Sequence, residues 1–266
     1  MIRSGAASIA LDDTGTGRAV VLLHAGVADR RCWISTTASL VTAWCRVIAY
    51  DRRGYGSTTY EPEPHDQVTD LLAVLDALGV SSAVLVGNSM GGRLALDAAL
   101  DSPERVDGLV VIGSAVSGAS VPDDIAPEVK ALGDEIEALE EAEDWDAVNA
   151  REARMWLDGP SRPEGAVGGA ARGLFLDMNG RALRAVDPGD ELPREPAWDR
   201  LEDIAVPLLS VVGAHDLPHL VERSNEIARR VGRGRYAELP ASAHLPMLDD
   251  PARFDASLRK FLTALG

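Results

Sequence analysis

Ala83-Val84-Leu85-Val86-Gly87-Asn88-Ser89-Met90-Gly91-Gly92 decides how the rest of this chain is read. A β-branched apolar run meets Gly-x-Ser-x-Gly, and the helix-forming run Arg93-Leu94-Ala95-Leu96-Asp97-Ala98-Ala99-Leu100 follows. The pattern predicts a strand, a sharp turn and a helix, with a serine at the turn. Such a turn holds the serine in an unusual backbone conformation and lifts its hydroxyl above the sheet edge. Gly87 and Gly91 fit because a Cβ at either place would meet neighbouring backbone. A helix start after Ser89 also offers free N–H groups and a positive dipole end to an oxyanion.

Outward from this turn, strands alternate with helices. Residues 8–11 read as an edge strand before the turn Asp13-Thr14-Gly15-Thr16-Gly17. Residues 19–23, 47–50, 109–112, 207–212 and 236–239 are further strands, the first a continuous apolar run as expected of a strand buried on both faces. Helical spacing marks 33–44, 67–78, 220–231 and 251–265. This alternation predicts an α/β class with a mostly parallel sheet covered by helices on both faces.

The rhythm breaks near residue 118. From there to about 196 the chain is helical, acidic and punctuated by glycine and proline. Val129, Leu132, Ile136 and Leu139 recur at helical spacing. The expected organisation is a core of residues 1–117 and 197–266 with a helical cap, 118–196, over the carboxyl ends of the strands, where ligands of open α/β sheets bind. Trp145, Met155, Trp156, Phe175 and Met178 are expected to supply apolar pocket walls. Arg154 and Arg172 could meet a substrate carboxylate, but are read as solvated surface residues.

Composition narrows the function classes. The formal net charge is -16, from 42 acidic and 26 basic residues. That argues against nucleic acid as a partner, which needs a basic face, and disfavours a polyanionic substrate. The two cysteines, Cys32 and Cys45, are read as small core residues rather than a disulfide framework. No signal peptide and no run of membrane-spanning length is seen, so a cytoplasmic protein without a membrane partner is expected. A homodimer is compatible with the sequence.

A serine hydroxyl needs a base within hydrogen-bond reach, and the base needs an orienting group. Of five histidines, His244 stands just past the last predicted strand, on a loop at the carboxyl edge. Asp216 ends the penultimate strand and would orient it. The chain order is then Ser89, Asp216, His244. Oxyanion donors are expected at Met90 N–H and in the loop after the 19–23 strand, where Gly26 N–H is chosen by analogy, with Ala25 and Val27 as the neighbouring alternatives. His24 is read as a structural hydrogen-bonder. His215 and His219 flank Asp216, but no further ligand cluster completes a metal site, so neither metal nor cofactor is expected. Asp51-Arg52-Arg53-Gly54-Tyr55-Gly56-Ser57 lacks a P-loop ending and is read as a structural turn at the floor of the site.

Leu23-His24-Ala25-Gly26, the Asp51–Ser57 turn, Gly87-Asn88-Ser89-Met90-Gly91-Gly92, Gly213-Ala214-His215-Asp216 and Ala243-His244-Leu245-Pro246 together resemble the α/β-hydrolase fold superfamily over essentially the whole chain. Ala25 stands where the oxyanion motif usually has glycine, and Ala243 where glycine usually precedes the histidine. The Ala-His-Leu-Pro ending looks like the enol-lactonase and small-ester hydrolase branch. The Asn-Ser-Met-Gly-Gly run also resembles C–C bond hydrolases of ring-cleavage pathways, which typically carry tryptophan where Leu245 stands.

The resemblance implies a serine hydrolase cleaving a small ester or lactone through an acyl-enzyme on Ser89. The alternatives are a C–C hydrolase using the same triad, a lyase or perhydrolase reusing it, and a ligand-sensing protein with slow turnover. Ala25, Trp156 and Leu245 are candidate contacts to a small-molecule substrate.

Overall fold

In the computed structural model, which describes residues 1–120, 122 and 124–266, the chain opens with a small hairpin of β1 (Ile2–Ser4) and β2 (Ala7–Ile9). There follow β3 (Leu11–Gly15), β4 (Arg18–Leu23), α1 (Ile34–Val41), β5 (Cys45–Tyr50), α2 (Gln67–Ala77), β6 (Ala83–Asn88), α3 (Met90–Asp101) and β7 (Val106–Ile112). A helical segment comes next: α4 (Pro127–Glu141), α5 (Trp145–Glu152), a π-helical turn (Ala153–Asp158) and α6 (Gly169–Ala182). The core resumes with β8 (Leu208–Gly213), α7 (Pro218–Arg230), β9 (Gly234–Leu239), α8 (Pro246–Asp249) and α9 (Pro251–Ala264).

Seven strands form one sheet in the order β3-β5-β4-β6-β7-β8-β9. Every neighbouring pair is parallel except β3 with β5. Alternation along the strands divides the core into two faces. Val21, Leu23, Leu85 and Leu109 pack with Leu71 and Val74 of α2 and Leu94 of α3. Val20, Leu22, Val84 and Val86 pack with Trp33, Leu40 of α1 and Phe254 and Leu258 of α9. The continuous apolar runs read from the sequence are thus strands covered on both sides. Local signals set the helix starts: the Asp66 carboxylate accepts from Val68 N–H at 3.0 Å and caps α2.

The N-terminal region differs from expectation. Residues 13–15, read as a turn, belong to β3 at the sheet edge. Acidic residues are tolerated because this edge strand is largely exposed, and arginines from neighbouring elements neutralise them. Arg30 pairs with Asp12 at 2.9 Å and Arg46 with Asp13 at 2.7 Å.

The helical segment leaves and rejoins the core at one place. Ser117 Oγ accepts from Ala197 N–H at 2.8 Å, and Ser117 O accepts from Trp198 N–H at 2.9 Å. Val129, Ile136, Val148 and Met155 pack with Leu217 and Leu220 of the core. Phe175 and Met178 instead join the apolar cluster that holds Trp33 and Phe254. Positions 121 and 123 of the expected 118–196 cap lie outside the described residues.

Candidate active site

Four loops at the carboxyl ends of β4, β6, β8 and β9 carry the candidate groups. Ser89, between β6 and α3, has φ 53 and ψ -113. This is a costly conformation for a residue with a Cβ. Its surroundings impose it. A Cβ on Gly87 would lie 2.1 Å from Gly91 O, and one on Gly91 would lie 2.2 Å from Leu23 O. Only glycines let the helix start this close to the sheet. Ser89 N–H donates to Ile112 O at 2.8 Å, and Ser89 O accepts from Ala115 N–H at 3.2 Å. The serine is therefore clamped to the end of β7, while its hydroxyl makes no hydrogen bond among the described residues.

His244 and Asp216 form a buried pair, Nδ1 to Oδ2 at 2.8 Å, each side chain 2% exposed. The other Asp216 oxygen accepts from Leu217 N–H at 2.8 Å. The two loops are joined by His215 N–H donating to Ser242 O at 2.9 Å. Asp249 accepts from Ala243 N–H at 2.7 Å and pairs with Arg162 at 3.2 Å, and burial pushes its carboxyl pKa up. Asn88 carries the connection to the serine. Its side-chain amide donates to Ile112 O at 2.9 Å and to His244 O at 3.0 Å. The residue before Ser89 thus holds the backbone of His244.

The imidazole is covered on one side by Trp156, ring centroids 4.7 Å apart and planes inclined by 47°. Trp156 comes from the π-helical turn, a local widening that often re-aims side chains at functional sites. Ala25 and Leu245, expected at a substrate, are instead fully enclosed in the core. Adjacency in sequence to a site residue does not decide which way a side chain turns. Met155, Phe175 and Met178 are also buried in apolar clusters, with Trp145 packed against one of them.

Met90 N–H opens α3 and Gly26 N–H lies in the loop after β4. Neither has a partner among the described residues. The two loops touch, since a Cβ on Gly26 would lie 2.9 Å from Met90 Sδ. His24 anchors the Gly26 loop from below. Its Nδ1 lies 2.7 Å from Ala25 O, and Nε2 accepts from Arg52 N–H at 3.1 Å. Burial, reinforced by nearby Arg52, holds its pKa well below the usual histidine value. His24 is a neutral structural group in this arrangement.

The Asp51–Ser57 turn supports the floor. The buried Asp51 carboxylate accepts from Arg30 N–H at 2.9 Å and Ser57 N–H at 2.7 Å, while burial pushes its pKa up. Arg53 is held between Asp70 at 2.8 Å and Glu63 at 2.7 Å. Of the arginines weighed for substrate, Arg172 pairs with the fully buried Asp158 at 2.5 Å, and Arg154 donates to the carbonyls of Gly159 and Pro160. Both serve the loop after the π-helical turn rather than standing free in solvent. Sequence reasoning passed over Asn88 and Arg52. The signal for Asn88 was position, a polar residue at the buried carboxyl end of β6.

A cavity of about 370 Å³ lies beside these loops, lined by Arg52, Tyr55, His65, Gln67 and Met90 and by Ala182 and the 185–189 stretch. Among the described residues, no three His, Cys, Asp or Glu side chains stand close enough to hold a metal ion, and no helix is long and apolar enough to cross a membrane.

The sheet order, the strained serine after β6 and the histidine and acid after β9 and β8 define an α/β-hydrolase architecture. A model described as the alpha/beta hydrolase family matches residues 20–256, and the chain belongs to that family of enzymes. The chain is 29% identical over 272 residues to RutD of Caulobacter vibrioides (strain NA1000 / CB15N), provisionally named a carbamate hydrolase, covering 92% of this chain and 91% of that protein. Among solved structures, an N-acyl homoserine lactone degrading enzyme matches with a TM-score of 0.70 at 28% identity, covering 98% of this chain and 99% of its own. The enol-lactonase of Burkholderia xenovorans LB400 matches with a TM-score of 0.71 at 24% identity over 97% and 96%, a likeness of fold.

Proposed function

We propose that the protein is a serine hydrolase that cleaves a small ester or lactone. Ser89 Oγ attacks the acyl carbonyl. His244 Nε2, the ring nitrogen not engaged by Asp216, takes the hydroxyl proton and returns it to the leaving oxygen. Asp216 fixes the tautomer and stabilises the imidazolium. Met90 and Gly26 N–H groups receive the oxyanion. Water, activated by the same histidine, then releases the acid. The helical segment 118–196 acts as a cap, and Trp156 shields the imidazole from solvent.

The observation that carries this reading is the strained Ser89 tied through Asn88 to the residue bearing the buried imidazole–carboxylate pair. The missing hydrogen bond at Ser89 Oγ accords with it, because catalytic hydrogen bonds often tighten only when substrate is bound. Relatives named for carbamate and lactone cleavage support attack at an acyl carbonyl.

The test is hydrolysis of short-chain p-nitrophenyl esters with fluorophosphonate labelling in parallel. Turnover and label should both be present in the wild type. Ser89→Ala should lose the label and at least about 10³-fold in kcat. Retained turnover in Ser89→Ala would remove Ser89 from the mechanism. Labelling with turnover only of a vinylogous diketone would favour C–C cleavage.

A further inference from the structure

The cavity beside the site is bordered by a cation that the protein leaves without a counter-charge. Arg52 is only 4% exposed. Its Nη1 donates to Gln67 Oε1 at 3.1 Å, and its Nη2 donates to the carbonyls of His24 and Ala25 at 3.2 Å each. Its Nε is buried with no hydrogen-bond partner. The guanidinium carbon lies 4.7 Å from the Tyr55 ring centroid. Among the described residues no carboxylate pairs with it, whereas the adjacent Arg53 has two. Burial of an unpaired charge is strongly unfavourable. The neighbouring His24, held neutral, supplies no compensation.

The cavity is placed to supply it. Gln67 and the mostly buried His65 line it with Arg52. The Gln67 amide nitrogen has no partner among the described residues, and His65 Nδ1 lies 3.3 Å from Glu63 O. Met90 and Tyr55 line the same cavity, and both flank Gly26: a Cβ there would sit 2.9 Å from Met90 Sδ and 3.8 Å from Tyr55 Oη. The space is therefore bordered by two residues, Met90 and Tyr55, whose side chains also flank Gly26. Its other charged groups are Arg53, Asp187 and Glu191. Arg53 is neutralised as above, Glu191 pairs with Arg93 at 2.8 Å, and Asp187 accepts from Gly189 N–H at 2.8 Å. These acids disfavour a polyanion but leave Arg52 able to match a single negative charge.

We infer that Arg52, assisted by Gln67 and His65, binds one free carboxylate of the substrate. The preferred substrate is then an ester or lactone bearing a second, unesterified carboxylate, such as the half-ester of a short dicarboxylic acid. This rests on the hydrolase reading above and deepens it.

Monomethyl succinate and its neutral isostere, methyl succinamate, test the inference. Arg52→Gln should lower the preference for the anionic ester, as a ratio of kcat/KM values, by about tenfold or more, the scale of a charge-assisted hydrogen bond. The loss should fall mainly in KM, and Arg52→Lys should recover part of it. An equal loss on both esters would overturn the inference and make Arg52 a prop for the Gly26 loop. If Arg52→Gln does not fold, wild-type calorimetry decides: the monoanion succinamate should bind about tenfold tighter than neutral succinamide, and equal binding would overturn the proposal. Calorimetry needs no turnover, so failure of the subsite is separable from failure of the hydrolase reading, which fluorophosphonate labelling reports.

Discussion

Gly113 shows how closely the site is fitted at the scale of one residue. It has φ +47, and a Cβ there would lie 2.6 Å from Asp216 Oδ2 and 2.9 Å from His244 Nδ1. Gly113→Ala adds a methyl group against the pair that orients the imidazole. A displacement of about 1 Å in such a group costs about 10²-fold in rate. The expected outcome is a loss of that order in kcat for p-nitrophenyl esters, with fluorophosphonate labelling slowed in parallel. Unchanged kcat in a folded Gly113→Ala protein would mean that the pair has room to adjust, and that its placement matters less than proposed. Ser89, Asp216 and His244 could be singled out in the sequence because each follows a strand, in a turn or loop of turn-forming residues. Arg52 could not, because the feature that distinguishes it from Arg53 is the lack of an acidic partner. That depends on Asp70 and Glu63, residues brought to Arg53 only by the fold.

At the scale of elements, the loops after β4 and β5 are held together by the His24 ring, between Ala25 O and Arg52 N–H. Their registry therefore depends on a neutral imidazole. In the unfolded chain His24 would protonate below its ordinary value of 6.5, whereas burial and Arg52 keep it neutral in the fold. Between those two values the unfolded state binds one more proton. Stability is then fully present above about pH 6.5 and falls as pH drops below it. His24→Asn keeps a hydrogen-bonding amide and removes the titration. Its stability deficit relative to wild type should be constant above pH 7 and shrink on acidification towards pH 5, by up to about 1.4 kcal/mol per pH unit. Denaturant titrations across that range would show it, and a flat difference would mean that His24 does not titrate differently on unfolding. The strands flanking these loops were legible because they are unbroken apolar runs. Residues 13–15 were misread because glycine and aspartate signal turns locally, while the pairing of β3 with β5 and its arginine partners are long-range.

The whole molecule adds a field that opposes its own proposed subsite. A formal net charge of -16 repels an anion approaching from solution, while Arg52 attracts it only after it has entered the cavity. The two effects respond differently to salt. The long-range field is screened over about 10 Å at 0.1 M ionic strength, whereas a contact with a buried group is screened much less. Raising sodium chloride from about 10 mM to about 200 mM should therefore relieve the repulsion more than it weakens the Arg52 contact. kcat/KM for monomethyl succinate should rise severalfold over that range, and kcat/KM for methyl succinamate should stay nearly flat because it carries no charge for the field to act on. The contrast between the two esters removes general effects of salt on the protein. A fall for the anionic ester alone would show that local basic groups, rather than the net charge, govern its approach. Equal behaviour of both esters would mean that the substrate charge is not sensed on the way in.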